Sequence, residues 1–166
     1  MTTPGTGVRD PLPKIAVAAA VGATLLLAGM LVFAFAASGK SPQDAKRITA
    51  EQALSQSRAG SRLLIDVRSR QEWRATGIPK GGRAVTIHDP KGLEGFMKQV
   101  LKEVGGDKSK PIALICARGG RSARAQRYLR MHGFTDVADV SEGMLGRGDR
   151  KGWLPRGLPT QTCPVC

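Results

Sequence analysis

The segment of this chain best equipped for chemistry is a cysteine followed by a glycine- and arginine-bearing run: Cys116, Ala117, Arg118, Gly119, Gly120, Arg121 and Ser122. It follows the apolar stretch Ile112, Ala113, Leu114, Ile115 and leads into residues that read as a helix. The sulfur therefore falls where a buried strand ends and a helix N-terminus begins. In open parallel sheets, ligands collect beyond the carboxyl ends of the strands. Gly119 and Gly120 let the backbone curl, so that the amides of 117–122 can turn inward around an anion, helped by the positive end of the helix. Arg118 and Arg121 add positive charge. Each of these features favours thiolate over thiol. A thiolate in an anion-binding cradle is suited to attack an anionic sulfur compound. The contrary reading, a buried structural cysteine at a strand end, fits an isolated cysteine better than one followed by two glycines and two arginines.

The remaining two cysteines form a C-x-x-C motif, Cys163-Pro164-Val165-Cys166. In redox enzymes this spacing sits at a helix start, where the dipole activates the first thiol; here it lies at a terminus, where chains are usually mobile. Two readings stand side by side. The pair is either a tethered dithiol that takes sulfur from Cys116 or reduces it by closing a disulfide, or an inert, oxidised tail. An oxidising compartment would favour the disulfide. No metal is expected, because a closed zinc site needs four ligands and the two histidines, His88 and His132, lie in no ligand-like pattern.

The elements that must position Cys116 alternate between helix and strand signals. Residues 49–59 read as a short helix: Thr49 caps it, Gln52 completes a capping box, and Gly60 supplies the stop. Residues 63–67 form a short apolar run suited to a strand buried on both faces. One helical turn over 71–75 and a strand over 84–87 follow. Leu93, Phe96, Met97, Val100, Leu101 and Val104 keep the rhythm of an amphipathic helix, which Gly105 and Gly106 end. After Pro111 comes the strand 112–115. The next helix spans 122–132, with Ala125, Tyr128 and Leu129 inward and Arg124, Arg127 and Arg130 outward, and Gly133 stops it. Residues 137–140 are a last strand. Such alternation implies crossover units and a parallel sheet, so the fold class is α/β.

Ahead of this domain, residues 15–37 run for 23 positions without a charge. As a helix they would reach about 35 Å at 1.5 Å per residue, enough to cross a hydrocarbon core of about 30 Å. The expectation is a retained single-pass transmembrane helix after a polar tail, 1–14, and before a linker, 38–46. The alternative is a cleaved signal peptide at Ala34-Phe35-Ala36, although cleaved signals have shorter apolar cores. Flanking charges (Arg9 and Lys14 against Lys40, Lys46 and Arg47) leave the membrane side open. Of the net charge of +13, Arg9 and Lys14 against Asp10 account for one unit before Lys40, so +12 belongs to the remainder. Such a field attracts small anions, anionic headgroups or nucleic acid. With 4% aromatics and scattered basic residues, the pattern of a nucleic-acid surface is absent, and small anions and the lipid bilayer are the expected partners.

Taken in order, Leu64-Ile65-Asp66-Val67-Arg68, Gln71-Glu72-Trp73, Gly77-Ile78-Pro79-Lys80-Gly81, the Cys116 loop, Ser141-Glu142-Gly143, Gly152-Trp153 and Gly157-Leu158-Pro159 resemble a single rhodanese domain over residues 47–162. The resemblance implies a rhodanese-like parallel sheet flanked by helices. It also implies a sulfurtransferase activity without a cofactor, in which Cys116 takes a sulfur atom from a small anionic donor such as thiosulfate. The Cys116 persulfide would then pass it to a thiol or to cyanide. It implies further that Arg68 stands near the mouth of the site and helps hold the donor, that Asp66 lies behind the loop and anchors backbone or arginine contacts, and that Arg121 closes the loop. Two positions depart from the family pattern: Ala117 stands where arginine is frequent, and Gly77 where a histidine often precedes Ile-Pro. Both bear on the preferred donor and neither removes the nucleophile.

Two other functions compete. Related phosphatases place five residues between cysteine and arginine, a ring wide enough for phosphate; here four separate Cys116 from Arg121, which suits a sulfur atom. A non-catalytic, membrane-tethered module is the third reading, and an intact cysteine loop argues against it.

Overall fold

The computed structural model describes residues 46–163 and 166. The expected membrane helix over 15–37 lies outside the described residues, as do the N-terminal tail and all of the linker except Lys46; among the described residues no helix is long and apolar enough to cross a membrane.

Five short strands make the central sheet: β1 (Arg47–Ile48), β2 (Leu63–Asp66), β4 (Arg83–Ala84), β5 (Ile112–Ile115) and β6 (Val137–Val140). Their spatial order is β1-β6-β5-β2-β4 and every neighbouring pair is parallel. A two-residue strand β3 (Ile78–Pro79) pairs antiparallel with β7 (Thr160–Gln161), joining the C-terminal stretch to the domain. Parallel neighbours require crossovers, which α1 (Ala50–Arg58), α2 (Arg70–Thr76), α3 (Gly92–Glu103) and α4 (Gly120–Met131) help supply.

Strand side chains alternate between faces, and both faces are covered. On one side Ile65, Ile112, Leu114 and Cys116 pack with Phe96 and Val100 of α3 and Ala125 and Leu129 of α4. On the other, Leu64, Ala113, Ile115, Ala138 and Val140 pack with Ala50, Ala53 and Leu54 of α1 and with Met144 and Trp153 of the C-terminal loops. This is why β2 and β5 read as unbroken apolar runs. Truncating a buried residue such as Leu114 to alanine would cost about 2–5 kcal/mol.

The local signals act where their chemistry places them. Thr49 and Gln52 form the reciprocal capping box of α1, and Gly60 follows its end at φ +67°. Three expectations need correcting. The turn at 71–75 is a seven-residue helix, because Ser69 and Glu72 make a second capping box that starts it earlier. The strand at 84–87 is β4 at Arg83–Ala84. Beyond it Val85 and Ile87 still donate to Asp66 O and Val67 O, at 3.1 and 3.2 Å, and stay in the core. In α4, which begins at Gly120, Tyr128 is only half-buried against His132 while Gln126 is buried.

Candidate active site

Cys116 is the first residue after β5, on the carboxyl edge of the sheet. It is 1% exposed and is a free thiol. Its sulfur accepts two hydrogen bonds: the Gly119 amide donates at 3.1 Å and the Ser122 hydroxyl at 3.3 Å. Delivering the Gly119 amide requires a left-handed residue, φ +85°, three positions after the cysteine, and a Cβ there would sit 2.1 Å from Ser141 O. Only glycine fits. The next residue opens α4, whose first-turn amides have no intrahelical acceptors and carry the positive end of the helix dipole.

The loop is held from behind by the turn after β6. Met144 N donates to Cys116 O at 2.8 Å and Leu145 N to Ala117 O at 2.9 Å. A peptide plane carries its carbonyl and amide in opposite directions, so tying these two carbonyls to one side turns the amides of Ala117 and Arg118 to the other. Gly143, at φ +66°, allows the approach: a Cβ would lie 2.5 Å from Ala117 O. The turn is anchored in turn by Glu142, buried, which accepts from Ala50 N at 2.8 Å at the start of α1.

Arg68 is placed differently from its expected position: it does not stand at a mouth. It is 2% exposed, and its guanidinium donates to both oxygens of Asp66, to Thr76 Oγ1 and to Gly77 O at 2.7–3.0 Å. Asp66 also accepts from Arg68 N at 3.0 Å. Burial pushes the Asp66 carboxyl up, while the hydrogen bonds and charge of Arg68 pull it down. A charge this deep must be paired, and Arg68 is committed to that pair rather than turned outward to a donor. Arg121, at the end of the loop, forks onto Glu72 with contacts of 2.6 and 2.7 Å. Bidentate pairs of this kind fix orientation as well as charge. The Arg121 hydrogen bonds, with those of Ser69 behind them, hold Glu72 down to about 2 against partial burial. Arg121 is held above its usual value, first by Glu72 and then, more weakly, by Cys116 and Asp66. Arg118 is exposed at the loop tip, as is Gly120.

The structure thus gathers Cys116, Ala117, Arg118, Gly119, Gly120, Arg121 and Ser122 into one loop and sets Asp66 and Arg68 beside it as a buried pair. The Cys116 sulfur is met by a backbone amide and one hydroxyl, and the buried Arg68 guanidinium braces Asp66, Thr76 and Gly77. Three neighbouring residues were given no role at the site by the sequence. Glu72 has a local signal, the Ser-x-x-Glu capping pattern. His88 stands 3.4 Å from Arg121 Nη1 through its Nε2, and no local signal marks it. Asp139 is buried in β6. A cavity of about 600 Å³ lies between α2 and the 84–90 segment, lined by Arg70, Trp73, Thr86, His88 and Gln99 among others.

Cys163 and Cys166 form a disulfide. The stretch that carries it is fixed to the domain by the β3–β7 pair, by Gly81 N donating to Gln161 Oε1 at 2.9 Å, and by Arg74 of α2 donating to Cys166 O at 2.7 Å. It adjoins the helix that supplies Glu72. Among the described residues no cluster of side chains could hold a metal ion.

A parallel sheet with a cysteine at the carboxyl end of its central strand, in a six-residue turn closed by arginine and running into a helix, defines a class of α/β domains built around a cysteine loop. Residues 49–146 match the rhodanese-like domain model, and the chain belongs to that family. An uncharacterised protein of Rickettsia conorii is 30% identical over 101 residues, 60% of this chain and 82% of its own. Among solved structures, Rv0390 from M. tuberculosis aligns with a TM-score of 0.55 at 28% identity, covering 71% of this chain and 98% of that one. The polysulfide-sulfur transferase homodimer from Wolinella succinogenes aligns with a TM-score of 0.53 at 25% identity, covering 84% and 88% respectively.

Proposed function

We propose that this chain is a sulfurtransferase working through a persulfide on Cys116, held at the membrane by a helix over residues 15–37. One observation carries the reading. The Cys116 sulfur receives an amide and a hydroxyl hydrogen bond inside a loop with only four residues between cysteine and arginine. In the first half-reaction the Cys116 thiolate attacks the outer sulfur of a donor such as thiosulfate. A Cys116 S–S bond forms, the donor's S–S bond breaks, and sulfite leaves with the electron pair. In the second, an acceptor thiolate or cyanide attacks the outer sulfur and Cys116 leaves as thiolate. The Gly119 amide, the Ser122 hydroxyl and the first-turn amides of α4 stabilise the negative sulfur at both stages, an electrostatic role for donors already in place. A nucleophile this deeply buried favours slender donors, such as the terminal sulfur of thiosulfate or of a polysulfide chain, the substrate class of the Wolinella neighbour. The short loop disfavours phosphate, and the intact nucleophile disfavours a purely binding role.

The test is intact-mass and peptide-level mass spectrometry after incubation with thiosulfate. The expected result is one added sulfur on Cys116, absent from Cys116→Ser. Sulfur found on Cys163 instead, or no uptake in excess donor, overturns the reading.

A further inference from the structure

The turn that holds the cysteine loop from behind continues into a surface the catalytic scheme leaves unused. Leu145, whose amide donates to Ala117 O at 2.9 Å, is 44% exposed, one of two large apolar side chains so placed among the described residues. The chain then makes a short excursion, 147–151, in which every residue is exposed. Its base is tightly closed. Arg147 and Arg150 exchange backbone hydrogen bonds at 2.9 and 3.2 Å. A Cβ on Gly146 would lie 2.6 Å from Arg150 O, and one on Gly152 only 2.3 Å from Gly146 N, so glycine is what lets the two stems meet. The excursion carries Arg147, Arg150 and Lys151, with Asp149 as its one acid. Arg118 is exposed one residue beyond the Ala117 carbonyl that Leu145 holds. None of these four cations takes part in an ion pair among the described residues, whereas Arg121 is paired with Glu72, and Arg156 with Glu51 and Glu142.

An exposed leucine with uncancelled charge around it has the make-up of a protein interface, an apolar centre inside a polar rim. A display fixed by its own backbone also keeps the ordering cost of association low. Cys116 is 1% exposed, so an acceptor thiol must arrive on a slender, projecting segment and be held there while it reacts. A lipid surface carries no thiol, and both tryptophans are buried and offer no face for stacked bases. We propose that Leu145, Arg118 and the 147–151 excursion dock an acidic protein whose cysteine takes the sulfur from the Cys116 persulfide. The acceptor's thiolate attacks the outer sulfur; its new S–S bond forms, the bond to Cys116 breaks, and Cys116 leaves as thiolate. Leu145 meets an apolar side chain of the partner beside the loop, and the four cations meet its carboxylates. Attraction of this kind speeds encounter and weakens with salt. The proposal rests on the sulfurtransferase reading and names the partner in its second half-reaction.

The test uses the full chain, loaded at Cys116 with thiosulfate, and two synthetic peptides that each carry one cysteine, flanked by glutamates in one and by glutamines in the other. Sulfur gained by each peptide is followed by mass spectrometry. The glutamate peptide is expected to accept sulfur at least about 10-fold faster. That preference should shrink between about 0.1 and about 1 M salt, as the screening length falls from about 10 to about 3 Å. The triple variant Arg147→Glu, Arg150→Glu, Lys151→Glu should abolish it, while loading by thiosulfate and unloading by dithiothreitol stay within about twofold of wild type. Equal rates for the two peptides, or a preference that survives in the triple variant, overturns the proposal. Should that variant fail to fold, a preference unchanged by salt overturns it equally. In chain reconstituted into vesicles, transfer to the glutamine peptide that slows when phosphatidylserine is included, and recovers in the triple variant, would make lipid the occupant and overturn it too. Failure to load Cys116 sinks the sulfurtransferase reading and this proposal with it; full loading without a preference sinks this one alone.

Discussion

The chain places its cysteines in two opposed settings. Cys116 is buried at the carboxyl end of the central strand, and its sulfur is met by donors whose positions are set by three separate segments: the loop itself, α4, and the turn after β6. Cys163 and Cys166 are half-buried beside α2, held by a two-residue strand pair and one arginine contact, and bonded to each other. The residue type is the same in both. What differs is the number of fixed dipoles aimed at the sulfur, and that difference makes one setting suited to carry a labile sulfur and the other to close a local tether.

Substitutions that break the contrast are ranked by expected effect. Cys116→Ser should abolish sulfur uptake and turnover outright, whereas the tail cysteines should be unable to replace it. Next comes Gly119→Ala. Its Cβ would meet Ser141 O at 2.1 Å at a φ of +85°, so the loop must shift and carry the amide away from sulfur. Displacement of about 1 Å is expected to cost on the order of 100-fold in kcat/KM, with about 2–4 kcal/mol of stability. Steady-state kinetics beside thermal melts measure both, and a change under about twofold would mean that the amide is not aimed as described.

Smaller again is Glu72→Gln, which loosens the loop's closing arginine. Glu72 is held down to about 2 by Arg121. Its contribution is therefore fully present above its unfolded value near 4.5 and is lost as pH falls toward about 2. After discounting for its partial exposure, the variant should be about 1–2 kcal/mol less stable at neutral pH. The gap should close in urea melts between pH 4.5 and 2. A gap independent of pH would assign the loss to packing. The least effect is expected from Cys163→Ser with Cys166→Ser. Loading of Cys116 should stay within about twofold of wild type, as for a surface change away from the site. Turnover without added thiol then distinguishes the two readings of the pair: slowing means that the reduced pair accepts sulfur, and unchanged turnover leaves it a tether.

Much of the frame was legible locally. The Thr49–Gln52 box, the apolar runs of β2 and β5 and the rhythm of α3 each report short-range preferences that the fold obeys. The miss at α2 was also local, since Ser69 and Glu72 carry the same capping pattern and start the helix at Arg70. The half-buried Tyr128, expected inward, and the buried Gln126, which the helical rhythm did not mark, have another cause. Gln126 is buried because two carbonyls from other elements, Lys46 O and Val137 O, await its amide, and no helical period records that. The arginines teach the same lesson at the site. Arg68, expected at the mouth of the site, and Arg121, expected to close the loop, are each claimed by a carboxylate. Asp66 is two residues from Arg68, and Glu72 is 49 residues from Arg121.

By itself, then, the sequence determined the alternation of helix and strand, the position of Cys116 at a strand end, and the four-residue spacing between Cys116 and Arg121. All three depend on neighbours within a few positions, where residue type alone dictates backbone preference. The tertiary structure decided that Glu72 cancels the charge of Arg121, that Met144 and Leu145 turn the loop amides inward, and that the Gln126 amide meets the carbonyls of Lys46 and Val137. Those outcomes arise from groups far apart along the chain, and electrostatic and hydrogen-bond partnerships among buried groups are settled only by the distances that packing creates.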